Sequence, residues 1–225
     1  MIDLPLQRLV KSIGHSFTNP ALLTVALTHR SHGGQHNERL EFLGDALLNL
    51  VIAEALFERF PREPEGALTR MRSNLVKGET LALIAVQLGL GDCLRLGSGE
   101  LKSGGYRRES ILADAVEAII AAIYLDAGMD ACRERILGWF QARLAAITPA
   151  QQKDAKTQLQ ELLQARGEPL PQYEVIQVSG KAHQQVFTVR CAVSLWPQPV
   201  EASDNSRRAA EQQAASALLE HLRNL

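Results

Sequence analysis

The chain has 225 residues, enough for one sizeable core or two small domains, and its 46% hydrophobic and 22% charged residues are an ordinary globular composition. A formal net charge of −1 excludes nucleic-acid binding through overall charge, so any phosphate-binding role must rest on local placement. Three cysteines, far apart and odd in number (Cys93, Cys132, Cys191), argue against a disulfide framework or a zinc site and for reduced thiols in a cytoplasmic protein.

The N-terminus, Met1 to Pro5, lacks a basic region followed by a long apolar stretch, so no signal peptide is expected. The most apolar run, Ala113 to Leu125, carries Asp114 and Glu117 and is too short for a bilayer, so no membrane partner is expected. Residues 1 to about 147 read as helices throughout, without strand signals. Pro5 suits a first helical turn. Asn37 is the candidate N-cap of a helix to about Arg59, with Leu40, Leu43, Leu47, Leu48 and Val51 at helical spacing. Pro61 and Pro64 then break the chain. Helical patterns resume over Glu65 to Leu88, Arg108 to Leu125 and Asp130 to Ala146.

A polar stretch bearing Pro149 marks a linker over 148–153. Beyond it come a helix from about Ala155 to Arg166, then strands over Tyr173 to Val178 and Gln185 to Val193. In the second strand Phe187, Val189, Cys191 and Val193 alternate with Thr188 and Arg190. A short third strand is expected around Val200. Ser206 caps a last helix with Ala210, Ala214, Ala217, Leu218 and Leu222 on one face. The expectation is a multidomain chain, with an all-α domain over 1–147 and a small α+β domain over 154–225 in the order α-β-β-β-α.

The chemistry lies in acidic residues. Glu38, Glu41 and Asp45 stand at i, i+3 and i+7, one helical face, where like charges repel unless a cation joins them. Glu38 has a second reading, favouring the helix dipole at N1. Gly44, costly by about 1 kcal/mol in mid-helix, signals close approach of another backbone or a ligand. Asp114 and Glu117 share a face of a helix otherwise built of Ala, Ile, Val and Leu, and buried carboxylates must be paired, protonated or metal-bound. Arg107 and Arg108 could reach back to pair them. Oxygen ligands point to Mg²⁺ or Mn²⁺. The spacing of His29, His32 and His36 is poor for zinc. The run Gly97 to Gly105 lacks the ending and the preceding strand of a phosphate loop, so no nucleotide cofactor is expected.

The segment His36 to Leu48, reading HNERLEFLGDALL, closely resembles the signature motif of the ribonuclease III family. The blocks Pro64-Glu65-Gly66 and Gly97 to Ala118 agree with it, and the tail resembles a double-stranded-RNA-binding domain. The resemblance implies a magnesium-dependent endoribonuclease that cuts double-stranded RNA with metal-activated water, leaving 5′-phosphate and 3′-hydroxyl ends and short 3′ overhangs. It implies Glu41, Asp45, Asp114 and Glu117 as metal ligands, with Asp45 and Glu117 catalytic and Glu117 the most sensitive to loss. Glu38 and Glu65 are implied to shape the site and touch RNA near the cut. The number of metals per site, one or two, stays open. The resemblance further implies a homodimer, for which Phe42 is a candidate interface residue with core packing as its alternative. Processing of structured ribosomal, messenger and transfer RNA precursors follows from the family alone.

For the tail, Arg207 and Arg208 lie in the first turn of the last helix, where cations oppose the dipole and a phosphate would relieve the conflict. Simple solvation of the pair is the alternative. His183 stands where the family places a minor-groove contact. Gln158, Gln160 and Glu161 are candidates for 2′-hydroxyl and base-edge contacts. From Lys153 onward eight Lys/Arg balance eight Asp/Glu, Ala209 replaces a common lysine, and the turn over 201–205 is acidic and lacks the usual glycines. Weaker and more salt-sensitive tail binding is therefore expected. Two rivals remain, a duplex-RNA-binding regulator that does not cut and a metal phosphohydrolase of small nucleotides.

Overall fold

The computed structural model describes residues 4–148, 155–180 and 185–223. The chain divides into two compact units, Met1–Gln151 and Gln152–Leu225, each with its own core. The expected linker falls, apart from Thr148, outside the described residues.

The first unit contains α1 (Leu4–Ile13), α2 (Pro20–Ala26), α3 (Glu38–Arg59), α4 (Glu65–Val76), α5 (Gly78–Leu88), the short α6 (Ser98–Lys102) and α7 (Glu109–Ala146). At α2, Pro20 occupies the first turn and the Asn19 side chain accepts from Ala21 N at 3.1 Å, a standard start signal. The centre of the unit is α7, whose residues Ala118 to Ile123 are fully buried. Helix α3 lies against it, burying Leu47, Leu48, Val51, Ile52 and Leu56. The glycine expected to mark a close approach does so: a Cβ on Gly44 would stand 1.8 Å from the backbone oxygen of Glu117. Gly44 thus sets the α3–α7 crossing at the height of the acidic residues. Gly128, with φ 82° and ψ −175°, breaks α7 between its two expected helical segments.

Three expectations for this unit need correction. The helix expected over Glu65 to Leu88 is two helices, because Lys77 is extended (φ −66°, ψ 152°) ahead of Gly78. Thr80 bridges the break, its hydroxyl donating to Asn74 O at 3.1 Å. Asn37 stands at the N-cap of α3 but is already in the helical region (φ −78°, ψ −13°), and its side chain makes no capping bond. One parallel β-bridge, Thr28 to Arg95, occurs where no strand signal is present. Its bonds, His29 N to Arg95 O at 3.0 Å and Arg95 N to Leu27 O at 2.8 Å, hold two loops together.

The second unit is α8 (Ala155–Ala165), β1 (Gln172–Ser179), β2 (Val186–Val193), β3 (Trp196–Asp204) and α9 (Arg207–Arg223). The strands form an antiparallel sheet in the order β1-β2-β3. Strand β3 is longer than expected despite Pro197 and Pro199, because an edge strand needs no donor on its outer side. Both helices share one core: Leu159 and Leu163 of α8 meet Ala214, Ala215, Leu218, Leu219 and Leu222 of α9, with Cys191 of β2. Ala217 is only half-buried, and the core position is taken by Ala215. Ser206 caps α9 as expected, its Oγ accepting from Ala209 N at 3.2 Å.

Candidate active site

Glu41 comes from the first turn of α3, and Asp114 and Glu117 from one face of α7. The crossing at Gly44 brings them together, so that one carboxylate oxygen of each lies within 4.8 Å of the other two. Three carboxylates so close oppose one another's ionisation. Burial, then the charges of Asp45, Glu41 and Asp114, push the Glu117 carboxyl up to about 8. Burial, then Asp114 and Glu38, also raise Glu41. Burial raises Asp114, although His29 and Arg30 pull the other way. Carboxyls that resist ionising beside one another are stabilised as anions by a shared cation, and a hard oxygen set suits a divalent one.

Asp45 lies outside this close group. It is exposed, and its Oδ1 accepts from Asn49 Nδ2 at 2.8 Å. Its charge still acts on Glu117 more strongly than that of Glu41 or Asp114. Glu38, the first residue of α3, pairs with Arg30 at 3.1 Å and with His36 at 3.7 Å. The structure does not bring Glu65 to this group. It begins α4, accepts from the Thr69 hydroxyl at 2.7 Å, and lines a different cavity of about 710 Å³ with Phe57 and Arg72.

Arg107 and Arg108 do not pair the buried acids. Arg108 binds Glu100 at 2.8 Å and Ser103 at 3.2 Å, while Arg107 lies over the Tyr106 ring. The basic groups acting on Asp114 are instead His29 and Arg30, which the Thr28–Arg95 bridge holds beside the acids. With Asn37, Glu38, Glu41, Glu100, Arg108 and Asp114 they line a polar cavity of about 210 Å³. No spacing in the sequence signals His29, Arg30 or Glu100, because they reach the site through contacts distant along the chain. His29 Nδ1 is engaged with Ser31. The Gly97–Gly105 run is a packing device. A Cβ on Gly97 would stand 2.1 Å from Ser31 O, and one on Gly105 2.9 Å from Glu100 O.

Phe42 is 81% exposed, which removes core packing as its role in the single chain. Leu50 and Phe57, 49% and 71% exposed, follow it on the same side of α3.

In the second unit, Arg207 is not simply solvated. Its Nε donates to Glu211 Oε1 at 2.8 Å, and Lys156 Nζ donates to Glu211 Oε2 at 2.5 Å. The conflict between Arg207 and the helix dipole is thus met one turn further on. Arg208 is exposed. On α8, Gln158 and Glu161 share a flank at i and i+3, whereas Gln160 projects to the other side. His183 lies outside the described residues.

Residues 19–144 match the Ribonuclease-III-like family and residues 155–222 the double-stranded RNA binding motif. Ribonuclease 3 of Idiomarina loihiensis is 59% identical over 219 residues, covering 97% of this chain and 96% of that one. Ribonuclease 3 of Shewanella amazonensis is 58% identical over 218 residues, covering 96% of each chain. Among solved structures, the nuclease domain of ribonuclease III from Campylobacter jejuni aligns with 66% of this chain and all of that one, at 40% identity and a TM-score of 0.61. A second structure of that domain, described for flexibility in its dimer-forming region, is 42% identical with a TM-score of 0.60, over 61% of this chain and 96% of that one. The chain belongs to the ribonuclease III family, with a ribonuclease-III-like nuclease domain followed by a double-stranded RNA binding motif.

Proposed function

We propose that Glu41, Asp114 and Glu117, joined by Asp45, hold Mg²⁺, which Mn²⁺ can replace, and that this centre performs the family's reaction. The chain is an endoribonuclease of double-stranded RNA. The observation that carries the site assignment is the convergence of three carboxylates from two helices within 4.8 Å, with the Glu117 carboxyl at about 8.

When bound, the cation neutralises phosphate charge and acidifies the attacking water. The protein's share is to hold the carboxylates and to let Glu117 give up its proton as it becomes a ligand. Asp45, one turn along α3 and held by Asn49, completes the acidic face. Water adds to phosphorus in line and the bond to the 3′-oxygen breaks. The products carry 5′-phosphate and 3′-hydroxyl ends, with short 3′ overhangs. Glu38, tied to Arg30 at the rim, shapes the entrance. Glu65 acts on RNA away from the carboxylates of its own chain. The exposed stripe of Phe42, Leu50 and Phe57 supports a homodimer, which gives one site for each strand of a duplex. Arg208, Arg207, Gln158, Gln160, Glu161 and His183 serve duplex binding by the tail. The substrates are structured precursors of ribosomal, messenger and transfer RNA. Three free cysteines suit a cytoplasmic setting, and among the described residues no helix is long and apolar enough to cross a membrane.

Glu117→Gln tests the reading. Cleavage of duplex RNA with Mg²⁺ should fall by more than about 100-fold, while duplex binding in a gel-shift assay persists. Cleavage at the parental rate would remove Glu117 from the centre. Parallel assays on single-stranded RNA and a mononucleotide separate the duplex nuclease from a small-nucleotide phosphohydrolase.

A further inference from the structure

Asn37 carries an unexplained feature. It is 2% exposed, and its Nδ2 is buried without an acceptor among the described residues. Its backbone is fully used: the N–H donates to Thr28 O at 2.9 Å, and the carbonyl accepts from Glu41 N at 2.8 Å. The side chain does not cap α3, the role its position suggests. A buried amide donor without a partner loses its hydration for no return, and native proteins rarely tolerate one without a use. Asn37 also lines the cavity of about 210 Å³ that contains Glu41 and Asp114. The χ2 torsion of asparagine is broad and soft, so the amide can turn toward that cavity.

We infer that Asn37 is an outer-shell residue of the metal centre, whose Nδ2 donates to a water of the hydration shell of the cation held by Glu41, Asp114 and Glu117. The inference rests on the metal assignment proposed above. The neighbouring groups favour this acceptor over a protein one. Glu38 is engaged with Arg30, Glu100 with Arg108, and Glu41 and Asp114 turn toward Glu117. A hydrated divalent cation brings oxygens beyond its direct ligands, and Mg²⁺ in particular keeps several of its waters. Outer-shell donors orient those waters and typically change metal affinity by about 10–100-fold. Asn37 is therefore a positioning residue.

The test separates an outer-shell role from a structural one. In the full-length protein, Asn37→Leu removes the donor while keeping the branched shape of the side chain, and Asn37→Ala removes it without overpacking. Mn²⁺ binding is read by electron paramagnetic resonance and thermal stability is measured without metal. Expected are an unchanged or raised metal-free Tm and about 10-fold or greater weakening of Mn²⁺ binding in both variants. A lower metal-free Tm with parental Mn²⁺ affinity would make Asn37 structural and overturn the proposal. So would weakened Mn²⁺ binding in Asn37→Leu alone, since that is overpacking, or parental Mn²⁺ affinity in both variants, whether or not duplex-RNA affinity falls. Glu117→Gln is measured alongside. If it binds Mn²⁺ as the parent does, the carboxylate assignment itself fails; if only the Asn37 variants bind normally, the outer-shell role alone fails.

Discussion

Glu117 keeps its proton at neutral pH in the cation-free protein because burial, then the charges of Asp45, Glu41 and Asp114, oppose its ionisation. Its folded-state value of about 8 lies above the ordinary 4.5. Between those values the folded chain therefore binds more protons than the unfolded one, and this contribution to stability is lost as pH rises through the window. The cation-free protein should melt at progressively lower temperature from pH 5 to 9. Glu117→Gln should flatten much of that slope, leaving the smaller effects of Glu41 and Asp114, which shift in the same direction. Cation binding at the proposed centre should reverse the trend, because a carboxyl ligates as the carboxylate. Titration calorimetry with Mg²⁺ in buffers of different ionisation enthalpy should report about one proton released near pH 7. No release would mean that Glu117 is already ionised and that its burial carries no functional poise. The members of this cluster were legible in the sequence, since acids at one helical spacing and acids in an apolar helix both demand an explanation. Their partners were not. His29, Arg30 and Glu100 meet them through the Thr28–Arg95 bridge and the Gly97–Ser31 contact, which no local pattern encodes.

Helices α3 and α7 supply the three carboxylates, and their crossing decides whether those carboxylates meet. The signal for that crossing was one residue, Gly44, costly in a helix unless a backbone comes close. Gly44→Ala places a methyl 1.8 Å from Glu117 O, so the helices must separate. Overpacking costs about 1–3 kcal/mol, more than the roughly 1 kcal/mol that alanine returns in helix propensity. Denaturant unfolding should show lower stability, and Mg²⁺-dependent cleavage should fall beyond what the loss of folded protein explains. Unchanged stability would mean that the two backbones are not in contact. In the tail, β3 shows the limit of pattern reading in the other direction. Its prolines argue against a strand, yet at the sheet edge they cost nothing. Helix α9 divides the two arginines of its first turn by role. Glu211 is 7% exposed, and although burial works against its ionisation, bonds from Lys156 and Arg207 hold its carboxyl below the ordinary range. Arg207→Ala should therefore lower the melting temperature of the tail and weaken duplex binding together. Arg208→Ala should weaken binding without moving the melting temperature. Comparing the two by calorimetric melting and salt-titrated gel shifts checks this, and equal thermal effects would assign both arginines to the fold.

At the scale of the whole molecule, the charge balance of −1 gave no sign of a nucleic-acid protein, and the function instead depends on where charge and apolar surface are placed. The apolar surface carries the last prediction. Leu47, Leu48, Val51, Ile52 and Leu56 turn one side of α3 into the core, yet the opposite side leaves Phe42 and Phe57 largely exposed. Helical spacing predicted the inner face correctly but could not tell which apolar residues outside it were core and which were surface. Large apolar side chains aligned on an outer face mark an interaction site, and a two-fold dimer presents the same patch from both partners. Because Phe42 makes little contact within its own chain, Phe42→Asp should leave helicity and unfolding of the isolated chain nearly unchanged. It would place two charges in an apolar interface, where each lacks a partner. Sedimentation at micromolar concentration should find the parent at twice the monomer mass and the variant at monomer mass. The variant's duplex products should shift from paired cuts toward single-strand nicks, since among the described residues one chain carries one such carboxylate centre. A variant that remains dimeric and cuts both strands would place the interface elsewhere than on the Phe42 face of α3.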